Sequence, residues 1–285
     1  MKPLLSALAA LVLAPVLAFA QPPGGPSGGP SRGGKPGGAE RPPVPAAAAA
    51  SKEVVDDKAP RDPNKFAALS LLGDSVQLFS LTPARGDTVQ SGEWRATPAG
   101  HLDDTVLQTL NDAVKATSDK RETKLYTSST RSLFGDPANL FVDGKLTLPG
   151  NLAAAVRQSG AQHLLLITRS RQEPALAAAM PARLLATLEG PGFVLDQRPS
   201  GNVGFDGQAG LPVFVPYVSI RIALIDLGDL RLRREQSIAV ATRLPVDRES
   251  AANPWAATTA EQRVKALDAL IEAELPKAVK VLVAN

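Results

Sequence analysis

Ser75 stands behind an apolar run, 65–72 (KFAALSLL), and is preceded by Gly73 and Asp74. A serine presented at the end of a strand can attack a carbonyl carbon if a histidine takes its proton and a carboxylate orients that histidine. The chain has two histidines that could act as this base, His101 and His163. His101 also lies close to Asp103 and Asp104, and imidazole with carboxylates suits Zn or Mn. No second histidine is nearby, however, and Asp103 has a competing use as a helix cap. Asp226 and Asp229 flank a turn; a glycosidase uses such a carboxylate pair, but acidic residues at turns more often serve local hydrogen bonds. Arg231, Arg233 and Arg234, with Arg221 on the preceding strand, form a basic patch of the kind that meets an anionic polymer or lipid headgroup. Glu235 and Asp229 dilute it. The chain has no cysteine, which excludes thiol catalysis, thiolate metal sites, disulfides and an acylated amino-terminal cysteine.

Gly73-Asp74-Ser75 behind an apolar strand resembles the nucleophile motif of the GDSL esterases, in which an aspartate three positions before the catalytic histidine orients it. The residues three before the two histidines are Pro98 and Gly160, so that pair is missing. Asn111-Asp112 is similar to another block of the family, but Leu110 stands where glycine is expected. A secreted GDSL-like hydrolase using Ser75 is therefore the alternative reading. The leading one makes Gly73-Asp74 a tight turn between strands 65–72 and 75–81, with glycine supplying a positive φ.

Further elements follow from periodicity. A helix capped by Asp103 carries Val106, Leu107, Leu110, Ala113 and Val114 on one face. A short strand is expected at 124–127 and a helix at 151–158, with Leu152, Ala155 and Val156 inward. The run 163–168 (HLLLIT) reads as a strand buried on both faces. Residues 175–188 fit helix or strand. Residues 217–226 and 230–242 alternate about a turn containing Gly228 and form a hairpin. Thr258 or Thr259 with Glu261 or Gln262 gives a capping box for a last helix, which Pro276 should kink or end. This order of elements predicts an α/β (α+β-like) fold: a single mixed sheet with two β-hairpins and helices packed on it.

The segment 190–216 is rich in Gly and Pro, yet carries Phe193, Phe205 and Phe214. It is longer than an ordinary connection. It reads either as a lid whose phenylalanines tuck back over the sheet or as a partner-binding patch built on those three residues.

The first twenty residues have Lys2, an apolar stretch and Ala18-Phe19-Ala20, the pattern of a removable secretory leader. Gly and Pro fill 16 of the 30 positions from Gln21 to Ala50. Such a stretch cannot bury enough surface to offset its conformational entropy, so 21–62 is expected to be a disordered tether and 63–285 a single domain. Apolar residues at 44% and charged residues at 21% fit a globular chain. The formal charge of +3 falls nearly to neutrality once leader and tether are set aside, which argues against a nucleic-acid partner.

The hairpin at 217–240, with Ile225-Asp226-Leu227 before its turn, resembles one in small bacterial envelope modules, such as the amino-terminal domain of the Tol-Pal translocation protein and the curli-secretion lipoprotein. The resemblance implies a mixed α/β, non-enzymatic assembly or partner-binding part, without the lipid anchor of the lipoprotein members. The expectation is thus a periplasmic or secreted binding module with no cofactor, no metal and no transmembrane segment after leader cleavage. Its partner would be an envelope protein or cell-wall component.

Overall fold

The computed structural model describes residues 61–84, 87–171, 187–198, 211–247, 249 and 251–284. The leader, nearly all of the tether, most of 175–188, and Phe205 lie outside them. Eight strands form one mixed sheet: β1 (Asp62–Leu71), β2 (Ser75–Ala84), β3 (Asp87–Ala96), β4 (Glu122–Tyr126), β7 (Ala161–Arg169), β8 (Gly190–Asp196), β9 (Val213–Asp226) and β10 (Leu232–Ala241). A small ribbon pairs β5 (Phe141–Val142) with β6 (Lys145–Leu146). The helices are α1 (His101–Thr117), α2 (Gly150–Arg157), α3 (Pro254–Ala257) and α4 (Ala260–Val283).

The long strand β9 organises the sheet. One of its edges carries β10; the other carries β8 along residues 213–219 and β7 along 220–226. From β7 the sheet continues in parallel to β1 and β4, and from β8 in parallel to β2, with β3 antiparallel outside it. The sheet therefore forks, and both β1–β2 and β7–β8 cross the fork.

This topology corrects the first expected hairpin. β1 and β2 do not pair with each other across Gly73-Asp74, because β7 occupies one edge of β1 and β4 the other. Gly73 does take a positive φ of 70°, but it serves the step from one branch to the next. The sheet's two hairpins are β2–β3 and β9–β10. The polar stretch 87–96 is a strand because it lies at the sheet margin, where no apolar alternation is needed.

Leu102, Val106, Leu107, Leu110, Ala113 and Val114 of α1 and Leu267, Ile271, Leu275, Val279 and Leu282 of α4 pack on one face of the sheet. On the other face, α2 and the β5–β6 ribbon close a second core around Leu69, Leu71, Leu164, Leu166 and Ile225. The Thr259–Gln262 capping box starts α4, as expected. Pro276 does not end it, since α4 runs on to Val283 with its apolar stripe continuous through Ala278, Val279 and Leu282. Burial of that stripe outweighs the hydrogen bond that proline cannot donate.

Candidate functional site

Ser75, Asp103 and Arg169 meet at the fork. Asp103 is not the cap of its own helix: Gly100, in the left-handed conformation, holds that position, and its N–H donates to Asp74 Oδ1 at 2.5 Å. The Asp103 carboxylate is buried and turns instead to the end of β1. It accepts from Ser70 Oγ at 2.5 Å, Leu72 N at 2.9 Å and Gly73 N at 3.2 Å. It thus caps a strand end whose amides have left the ladder.

Arg169 closes β7 and reaches into the same junction. Its Nε and Nη2 donate to the Leu72 carbonyl at 2.9 and 2.5 Å, and Nη2 also donates to Ser75 O at 3.2 Å and Ser75 Oγ at 3.0 Å. Its guanidinium lies 4.6 Å from the ring centroid of Trp94. Burial lowers its pKa, while Glu189, Asp103 and Tyr217 oppose that shift. Ser75 is therefore tied to a permanent cation that cannot act as a general base.

Neither histidine is hydrogen-bonded to Ser75, whose Oγ accepts from Arg169. His101 Nε2 lies 3.0 Å from an Asp268 carboxylate oxygen, on the α1–α4 contact. His163 pairs in register with Asp226 and packs its ring 5.8 Å from Phe66. Burial lowers the pKa of His163, Asp226 opposes, and Arg233 adds to the lowering. Among the described residues no group of three His, Asp or Glu could hold a metal ion.

Asp226 and Asp229 share Arg233, at 3.1 and 2.8 Å. Burial raises the pKa of Asp226, but the Gly228 N–H and Arg233 outweigh it and hold the carboxyl below its ordinary value. The expected arginine patch disperses: Arg221 faces Glu235 at 3.5 Å, and Arg234 donates to the Ala284 carbonyl at 2.6 Å beyond the end of α4. Arg231 and Arg234 have no carboxylate partner among the described residues.

Phe193 and Phe214 are strand residues, each 1% exposed, with rings stacked 5.2 Å apart beneath Trp255. They belong to the helix-side core, which corrects their reading as a contact patch or as a lid carried by one long loop. Residues 190–196 and 213–216 of that segment are strand, because β8 and the first half of β9 pair with each other.

The exposed feature missed in the sequence is β3. Residues 91–96 are all exposed, Val89 and Trp94 are 52% and 47% exposed, and among the described residues β2 alone pairs with the strand. A solvent-facing tryptophan in a polar strand was the available signal.

No family model matches the chain, and no curated protein matches it. Solved structures similar to it include a Xanthomonas campestris protein of the DUF330 family, at 11% identity, covering 77% of this chain and 81% of that one with a TM-score of 0.31. Another is a putative neuraminyllactose-binding hemagglutinin homolog from Helicobacter pylori, at 6% identity, covering 78% and 84% with a TM-score of 0.30. At such scores neither carries an argument about this chain. No helix among the described residues is long and apolar enough to cross a membrane.

Proposed function

We propose that the chain is an exported, non-enzymatic binding or assembly module of the bacterial envelope, and that it engages an envelope protein by strand addition along β3. The observation that carries this reading is the ten-residue β3 itself, paired on one side only among the described residues and presenting Val89 and Trp94 to solvent. A partner strand gains main-chain hydrogen bonds along such an edge and side-chain contacts on its faces. The leader pattern at 1–20 and the hairpin resemblance at 217–240 support the envelope as the setting. The engagement of Ser75 by Arg169 speaks against the esterase alternative.

The test is a photo-crosslinking residue at Val89 in intact cells, with a control at Val281, exposed on α4. A discrete adduct with an envelope protein from position 89 alone is expected, and the recovered mature chain should begin at Gln21. Identical adducts from both positions, or none, would overturn the β3 reading. Hydrolysis of short-chain acyl esters that disappears in Ser75→Ala would restore the esterase.

A further inference from the structure

The open edge of β3 has a definite phase. Thr97 N donates to Asp74 O at 2.9 Å, and the β2–β3 register runs without a shift from Ser75↔Ala96 to Ala84↔Asp87. In an antiparallel ladder, residues bonded to the neighbouring strand alternate with residues whose amide and carbonyl point away from it. Thr97 is bonded to β2, so the odd-numbered residues of β3 are too. Gly92, Trp94 and Ala96 therefore turn both main-chain groups to the open edge, where no strand among the described residues pairs with them.

The residues around Trp94 run Gly92, Glu93, Trp94, Arg95, Ala96, and all five are exposed. An antiparallel copy of this segment centred on Trp94 sets small against small, acid against base and indole against indole. Glu93 then lies opposite Arg95 of the second copy, and Arg95 opposite its Glu93, which favours that register. Centring the pair on Glu93 or on Arg95 would instead oppose two like charges. Within one copy Arg95 Nη2 already lies 2.5 Å from Glu93 Oε1, so two copies bring together four charges that sum to zero. On the other face the Arg169 guanidinium backs the Trp94 ring at 4.6 Å. Gly92 and Ala96 flank that ring on its own face and leave room for a second indole; a Cβ at Gly92 would come within 3.3 Å of the Phe79 ring. The pairing ends where Gln90 would meet Pro98, which has no amide hydrogen to donate.

We infer that the strand added to β3 is the same segment of a second copy of this chain, paired antiparallel about a two-fold axis at Trp94, so that two eight-stranded sheets become one. The inference rests on the reading of β3 as a strand-adding edge and names the partner. About six main-chain hydrogen bonds form across the axis, two for each pairing of Gly92 with Ala96 and two between the Trp94 residues. So short an interface makes a reversible dimer.

The experiment is sedimentation equilibrium of the full chain and its variants, with thermal unfolding as the control for folding. The parent chain should dimerise with a Kd of about 1–100 μM. Glu93→Arg and Arg95→Glu each set like charges opposite each other across the axis, and each should weaken the dimer at least about tenfold. The swap Glu93→Arg/Arg95→Glu restores acid against base and should dimerise within about threefold of the parent. An equal mixture of the two single variants should give a heterodimer where neither dimerises alone. Ala96→Pro removes an amide that points to the open edge and not to β2, so it should abolish the dimer and leave the monomer folded. A chain that stays monomeric while the crosslinker at Val89 captures a different envelope protein would overturn the inference and leave the β3 reading standing; a monomer with no adduct would overturn both. Dimerisation that ignores the charge reversals, or a folded swap variant that stays monomeric, would overturn the inference as well.

Discussion

The guanidinium of Arg169 holds the carbonyl of Leu72 by two hydrogen bonds, at 2.9 Å through Nε and 2.5 Å through Nη2. Leu72 is the first residue past β1, so this contact fixes the end of β7 to the point where the chain leaves one branch of the sheet for the other. Asp103 holds the amides of Leu72 and Gly73 from the helix side. The junction is thus gripped by a cation at its carbonyls and an anion at its amides.

Arg169→Met should cost about 2–3 kcal/mol in denaturant unfolding, because it leaves the carbonyl of the buried Leu72 without its donor and Asp103 without its nearby positive charge. Arg169→Lys should recover only part of this, since an ammonium lacks the planar fork. A loss below about 0.5 kcal/mol would show that the fork does not depend on this clamp.

Gly192→Ala should be among the most damaging single-methyl additions in the described sheet. A Cβ there would collide with the Gln77 carbonyl and with the Tyr217 hydroxyl, which itself donates to Gln77 Oε1 at 2.8 Å. Burial pushes the Tyr217 phenol pKa upward, which keeps the hydroxyl a donor to Gln77 and fixes the ring where the Cβ would fall. A loss of about 1–3 kcal/mol is expected, and the expressed variant's thermal unfolding would report it.

His163 should make the fold acid-sensitive. Its folded pKa lies below 6.5, chiefly because burial disfavours the imidazolium. In the window below pH 6.5 the unfolded chain therefore binds the proton more readily, so stability present above that pH is lost as pH falls through the folded value. His163→Leu should flatten the stability profile between neutrality and that window. Asp226, whose folded pKa is depressed from 3.8, acts only at lower pH, as its own stabilising contribution is lost on protonation. An unchanged slope near pH 6 in the variant would assign the acid response to other groups.

Pro276→Ala should raise stability by up to about 3 kcal/mol, because it restores an amide donor inside α4. Chemical denaturation measures the gain. A loss instead would mean that Leu275 and Val279 need the proline's local geometry to seat on the sheet.

The elements with a strong apolar period are legible in the sequence. α1, α2, β7, the β9–β10 hairpin and the start of α4 follow from residue spacing, from the Thr259–Gln262 box and from the turn chemistry around Gly228. In each, the signal and the structure it specifies occupy the same short stretch of chain. β3 was missed because an edge strand exposed on both faces has no reason to alternate, and the span of α4 was cut short because a helix breaker was weighed without the long buried stripe around it.

The amino-acid order by itself determined which segments could bury a face: the 3.6-residue spacing of Val106, Leu110 and Val114, the two-sided apolar run of β7, and the lack of any cysteine that could crosslink them. Only the tertiary structure decided what those segments meet. Asp103 looks like a helix cap because helix starts favour aspartate, yet it serves Ser70, Leu72 and Gly73, which lie 33, 31 and 30 positions upstream. Gly73-Asp74 looks like a hairpin turn because glycine permits a positive φ, yet strand pairing is settled by competition for edges, and β7 wins the edge of β1. The like-charge bridge of Lys145 and Arg231 belongs to the same class, since two residues 86 positions apart become neighbours only when β6 docks against the turn before β10. Local chemistry limits the conformations each segment can take, and long-range burial and pairing choose among them.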